Sequence, residues 1–165
     1  MYDELTKSDI EKMQQEIEHR KLVVRKEALE DVKEARAQGD LSENFEYKAA
    51  KKFKNENESR IRYLERMIKT AKIIEDHSAA DEIGLNDIVT LYFEEDDMEE
   101  VYKLTTTIRG NSIQGRISID SPLGAAINGH KVGDRVQVKV NENYSFYVQI
   151  RKIEAGDDED DLRKY

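Results

Sequence analysis

The sequence predicts an α+β protein: an N-terminal antiparallel α-helical coiled-coil hairpin, then a small antiparallel β-sheet domain with one short helix. Three observations carry that prediction. Before Ile83 the chain holds a single glycine, Gly39, and no proline, so only one position favours a break in helix. Apolar residues in this stretch recur three, four or seven apart, the period of one helix face. After Asp87 the pattern changes to alternation rich in β-branched and aromatic residues, the period of a strand.

The first arm carries its stripe on Ile10, Met13, Ile17, Val24, Ala28, Val32 and Ala35, and the second on Phe53, Ile61, Leu64, Ile68, Ala71 and Ile74. Residues 37–44, Ala-Gln-Gly-Asp-Leu-Ser-Glu-Asn, form the turn between them. Gly39 is the expected left-handed stop of the first helix, and Asp40 or Ser42 the expected cap of the second. Phe45 and Tyr47 follow and are placed to brace the turn. Arms of roughly 30 residues extend about 45 Å at 1.5 Å per residue, which makes a finger. Strands are expected over Asp87–Glu94, Val101–Thr107, Gly115–Ile119, Arg135–Val140 and Ser145–Ile153. The short helix starts at Pro122 in its first turn behind a Ser121 cap and closes at Gly129. Domains of 1–78 and 79–165 follow, with Asp76–Asn86 as linker. The acidic runs Glu94–Glu100 and Asp157–Asp161 read as a solvated hairpin loop and a loose tail.

Charge and composition exclude several functions. The 27 Lys+Arg against 36 Asp+Glu leave a net charge of −9, incompatible with a global basic stripe for nucleic acid. Residues 1–78 are nearly neutral, so the acidity sits in the second part. No apolar run is long enough to span a membrane, and the expectation is a cytoplasmic monomer with no membrane partner. The absence of cysteine excludes disulfides, thiol nucleophiles and Cys-ligated zinc, and three scattered histidines argue against a His-based metal site.

The turn holds the residues of most interest, Asp40 and Glu43. Their spacing allows two roles. An Asp cap with Glu three residues on is a capping box, each side chain satisfying a backbone N–H of the second helix. Alternatively, the carboxylates touch Mg²⁺, which commonly takes only one or two protein carboxylates. Two carboxylates on an exposed turn cannot build a tight site alone, so a catalytic tip would act in trans on a partner's metal. Lys48, Lys51 and Lys52, just beyond, are either RNA-phosphate contacts or a solvated helix flank. Phe45 and Phe53 are expected to pack rather than stack on bases.

Residues 33–51, KEARAQGDLSENFEYKAAK, closely resemble the tip of the bacterial Gre transcript-cleavage factors, and residues 120–134, DSPLGAAINGHKVGD, resemble their C-terminal domain. The resemblance covers essentially the whole chain. It implies a factor that binds the bacterial RNA polymerase elongation complex through its secondary channel. The tip then stimulates the polymerase's own cleavage of the backtracked nascent RNA 3′ end. It implies that Asp40 and Glu43 share the second active-site Mg²⁺ of the polymerase, with no tightly bound cofactor of the chain's own. Gly39, Leu41, Ser42, Asn44 and Tyr47 match the tip motif as its support. The second domain resembles the FK506-binding-protein fold, and Asp120, Ser121, Pro122 and Leu123 match the part that docks on the channel rim. Where members often carry a basic residue after Ser-Pro-Leu-Gly, this chain has Ala125. Two other functions stay open: a channel-binding modulator without cleavage, and a prolyl isomerase with a helical appendage, suggested by fold alone.

Overall fold

The computed structural model describes residues 3–38 and 44–164. Gly39, Asp40, Leu41, Ser42 and Glu43 lie outside the described residues. The chain divides into two compact units, Ile10–Ala71 in one and Asp3–Asp9 with Lys72–Tyr165 in the other. The sequence had put the boundary at 78/79 and the opening residues with the helices; in the structure residues 3–9 go with the sheet unit.

Helix α1 (Lys7–His19), which belongs to the first unit from Ile10 onward, runs through a π-helical turn (Arg20–Val24) into α2 (Arg25–Ala37). Helix α3 (Phe45–Thr70) returns antiparallel to it over 26 residues, about 39 Å of helix. Met13, Ala28, Ala35, Ile61, Leu64 and Met67 are buried in the seam. Phe53, expected in the second stripe, is 47% exposed, and the buried position one turn later is the polar Asn57. The π turn explains that residue. A wide turn leaves the Arg20 carbonyl accepting from the Arg25 N–H five residues on, and Asn57 Nδ2 donates to the same carbonyl at 3.3 Å. Arg20 Nη1 donates back to Asn57 Oδ1 at 3.0 Å, so the buried amide is satisfied on both sides.

Ion pairs flank the seam: Glu16–Arg60 at 2.8 Å, Lys21–Glu65 at 2.5 Å and a two-pronged Arg25–Glu58 contact at 2.7 and 2.9 Å. Burial by itself raises the Glu16 carboxyl, but the hydrogen bonds and charges of Arg60 and Arg20 outweigh it and hold the group below 4.5. A depressed carboxyl contributes stability above its ordinary value and loses it as pH falls through the lower folded value. Glu16→Gln is therefore expected to cost about 1 kcal/mol near pH 7. The deficit should close in acid below pH 4.5, read as the thermal midpoint at 222 nm. A deficit independent of pH would refute the ionic role.

In the second unit, strands β3 (Ile88–Phe93), β4 (Met98–Thr105), β5 (Arg116–Ser118), β6 (Arg135–Asn141) and β7 (Tyr144–Glu154) form one sheet in the order β5-β4-β3-β7-β6. All five expected strands are present. The sheet is mixed rather than wholly antiparallel, because β4 and β5 pair in parallel with Lys103 opposite Arg116. Parallel neighbours need a connection that carries the chain back to the starting end. Two 3₁₀ turns, Thr107–Arg109 and Ser112–Gln114, supply it. Val89, Leu91, Val136, Val138, Val148 and Ile150 alternate inward with Leu104, Ile83 and Ile127 to make the core. Register shifts at Thr90/Leu91 and Lys139/Asn141 curl the sheet.

A further two-residue ladder joins β1 (Glu4–Leu5) to β2 (Lys72–Ile73) in parallel, with Leu5 fully buried. The whole helical hairpin is the crossover between these strands. The acidic run after Phe93 is a turn over residues 94–97, and Met98–Glu100 already belong to β4. The expected loose tail is instead docked: Leu162 is buried, and the Arg163 N–H donates to the Ile108 carbonyl at 2.6 Å.

Candidate functional site

The hairpin turn is built by what flanks it. Helix α2 ends at Gln38, whose N–H donates to the Ala35 carbonyl at 3.3 Å. Helix α3 starts at Phe45 with Asn44 as its cap, in extended backbone conformation. Asn44 Oδ1 accepts from the Tyr47 N–H at 3.0 Å, and Asn44 Nδ2 donates to the Ala35 carbonyl at 2.7 Å. One amide therefore satisfies an orphan donor of α3 and adds a second, shorter bond to a carbonyl in the last turn of α2, fixing the two helix ends together. This corrects the expectation that Asp40 or Ser42 caps the second helix. The reason is position: α3 starts at Phe45, so the residue whose side chain accepts from the first-turn Tyr47 N–H is Asn44.

Tyr47 makes a second tie between the arms. The Arg36 guanidinium lies 5.5 Å from its ring centroid and donates to its hydroxyl at 3.4 Å. That hydrogen bond, the Arg36 charge and the charges of Lys51 and Lys54 lower the Tyr47 phenol below its ordinary value. Asn44→Asp keeps the cap and loses the donor; Asn44→Ala loses both. We expect about 1 kcal/mol for the first and about 2 kcal/mol for the second, read as urea midpoints. Equal effects would show that the Ala35 bond contributes nothing.

The candidate RNA contacts lie on the first turns of α3. Lys48, Lys51 and Lys52 are exposed. The Lys48 ammonium sits 5.7 Å from the centroid of the Phe45 ring, and Lys52 is 3.9 Å from Glu56. Phe45 is 81% exposed and Phe53 is open too, so the expected packing of both rings is overturned.

The docking candidates surround the start of helix α4 (Pro122–Ile127). Ser121 caps it: its Oγ accepts from the Gly124 N–H at 3.0 Å and donates to the Ser118 carbonyl at 2.6 Å. A Cβ at Gly124 would run into that same Ser118 carbonyl oxygen, so the close approach requires glycine. Asp120 is exposed and accepts from the Thr107 hydroxyl at 2.8 Å, and Pro122 is exposed beside it. Leu123 is half-buried and packs against the sheet core. The structure therefore joins Asp120, Ser121 and Pro122 in one surface element, while the acidic pair lies outside the described residues.

The sequence reading missed one polar centre. Thr6 and Asp9 form a capping box at the start of α1, with bonds of 3.0 and 3.1 Å. Asp9 is also paired with Arg109 at 2.6 Å, both being 2% exposed. The Thr-Lys-Ser-Asp spacing was the available signal for the cap; nothing local marks Arg109 as its partner. Among the described residues no group of three or more His, Cys, Asp or Glu is placed to hold a metal ion, and no helix is long and apolar enough to cross a membrane.

Known protein families match the sequence of both units. The family model described as "Transcription elongation factor, N-terminal" matches residues 4–73, and that described as "Transcription elongation factor, GreA/GreB, C-term" matches residues 77–155. The chain is 41% identical to transcription elongation factor GreA of Acholeplasma laidlawii over 150 residues, 91% of this chain and 95% of that protein. It is 44% identical to GreA of Geobacillus kaustophilus over 136 residues, 82% of this chain and 86% of that one. For GreA of Bacillus subtilis the identity is 41% over 135 residues, again 82% and 86%. Matches over both units make the chain a transcription elongation factor. The chain belongs to the GreA/GreB family.

Proposed function

We propose that the chain binds bacterial RNA polymerase and stimulates the polymerase's own cleavage of the backtracked RNA 3′ end, as an accessory in trans with no independent active site. Family membership over both units supports the class. The observation that carries the finer reading is the cap. Asn44 is the cap residue of α3, so the cap position itself does not require Asp40 or Glu43. Two carboxylates within four residues offer hard oxygen ligands suited to Mg²⁺ and too few of them for a complete site.

In this reading Asp40 and Glu43 would supply carboxylate ligands to a Mg²⁺ whose other ligands belong to the polymerase. That ion, when bound, supplies charge neutralisation and an activated water for phosphodiester cleavage. The chain's own work is delivery and orientation. The Asn44–Ala35 and Arg36–Tyr47 ties fix the two helix ends that present the turn. Lys48, Lys51 and Lys52 bring positive charge toward the RNA 3′ end. Asp120, Ser121 and Pro122 dock the sheet unit at the channel rim. The test is incubation with a stalled, backtracked elongation complex and Mg²⁺. Short 3′ RNA fragments, absent without the factor, are the expected result; binding to the complex with no fragments would replace cleavage by channel occupancy.

A further inference from the structure

The segment beyond the family match, which ends at Ala155, is not loose. It leaves the sheet at Gly156, where a Cβ would run into the Asn86 carbonyl oxygen. It then runs without helix or strand along the β4–β5 side of the sheet unit. Two cations from that side meet its carboxylates. Lys103 lies 2.6 Å from Asp160 and 3.4 Å from Asp157, and Arg116, its register partner on β5, lies 3.7 Å from Asp160. The 3₁₀ turn Thr107–Arg109 meets its backbone: Arg109 Nη1 donates to the Asp158 carbonyl, and the Ile108 carbonyl accepts from the Arg163 N–H. Leu162 is the buried apolar anchor.

These contacts define a receptor surface as well as an occupant. Lys103 and Arg116 belong to the sheet, so their nearly buried cations must be matched by anions whenever the surface is covered. The occupant seen here is an extended acidic peptide with an apolar anchor.

We propose that the β4–β5 edge, with Lys103, Arg116 and the Ile108–Arg109 backbone turn, is a binding site for an extended acidic peptide, held in cis by residues 156–164 as an exchangeable ligand. A partner protein presenting carboxylates around an apolar side chain takes the same site by displacing the segment. The geometry favours a peptide over a nucleic acid. The Ile108 carbonyl needs an N–H donor and the Leu162 position an apolar side chain, neither of which a phosphate backbone offers.

The test uses a fluorescent peptide of residues 156–165 and the chain ended at Ala155. The shortened chain should bind the peptide, and the full chain at least tenfold more weakly, because its own segment competes. Lys103→Gln with Arg116→Gln in the shortened chain should lower affinity at least tenfold and flatten its salt dependence. If the shortened chain does not fold, the full chain with Asp157→Asn and Asp160→Asn keeps the Leu162 anchor. It should then take up the peptide several-fold better than the parent. The site is refuted if neither folded form binds the peptide, if a peptide with lysines for aspartates binds equally, or if single-stranded RNA outcompetes the peptide at Lys103 and Arg116.

Discussion

Asp40→Asn combined with Glu43→Gln is expected to reduce stimulated cleavage by about 100-fold or more, while affinity for the polymerase stays within about twofold. The amides keep the size and shape of the side chains and remove two negative charges. A neutral amide oxygen is a far weaker ligand for a hard dication than a carboxylate, so the shared Mg²⁺ would lose the ligands that arrive with the factor. Because Asn44 caps α3, the double variant should melt within a degree or so of the parent. Raising Mg²⁺ should recover part of the lost activity in each single variant, which a misfolded turn would not do. Full cleavage by the double variant would remove the metal role; a large fall in melting temperature would reinstate a capping role.

Arg109→Leu is expected to be the most destabilising single change in the sheet unit, by about 3–5 kcal/mol. It strands Asp9, whose carboxylate would remain buried with the Thr6 N–H but without its cation. It also removes the bonds from Arg109 to Ser8 Oγ, 3.0 Å, and to the Asp158 carbonyl. Asp9→Ala should cost a similar amount by stranding the guanidinium. The double variant should cost clearly less than the sum, the signature of a coupled pair. Urea unfolding of the full chain measures all three. A shift below 1 kcal/mol for Arg109→Leu would mean that water reaches the pair and screens it.

The largest features were legible because each rests on a local rule repeated many times. Sixty residues with one glycine and a three-four spacing have no alternative to paired helices. Strands β3, β6 and β7 announce themselves by alternation, and Ser121-Pro122 by its cap chemistry. What went wrong also has local causes. Phe53 fits the apolar spacing of a regular helix pair, but the π turn at Arg20–Val24 opposes an amide to the wide turn and leaves that ring outside. Asn44 was read as part of a motif and not as the cap, since Asp40 and Ser42 satisfy the same cap rule. The folded chain starts α3 at Phe45, which makes Asn44 the cap. Two-residue strands such as β1 and β2 are too short for alternation to register.

By itself, the sequence determined the two kinds of architecture, their order, and the acidic turn that suggests chemistry. All three depend on near-neighbour periodicity, capping and composition. Tertiary structure alone decided that β5 joins in parallel, that Asn57 is buried, that Asp9 finds Arg109 a hundred residues away, and that an acidic end lies strapped to Lys103 and Arg116. Each of those is a pairing between distant segments. A charge or an amide written in a sequence does not say which opposite group the folded chain will bring within 3 Å, and burial makes that partner obligatory only once the fold exists.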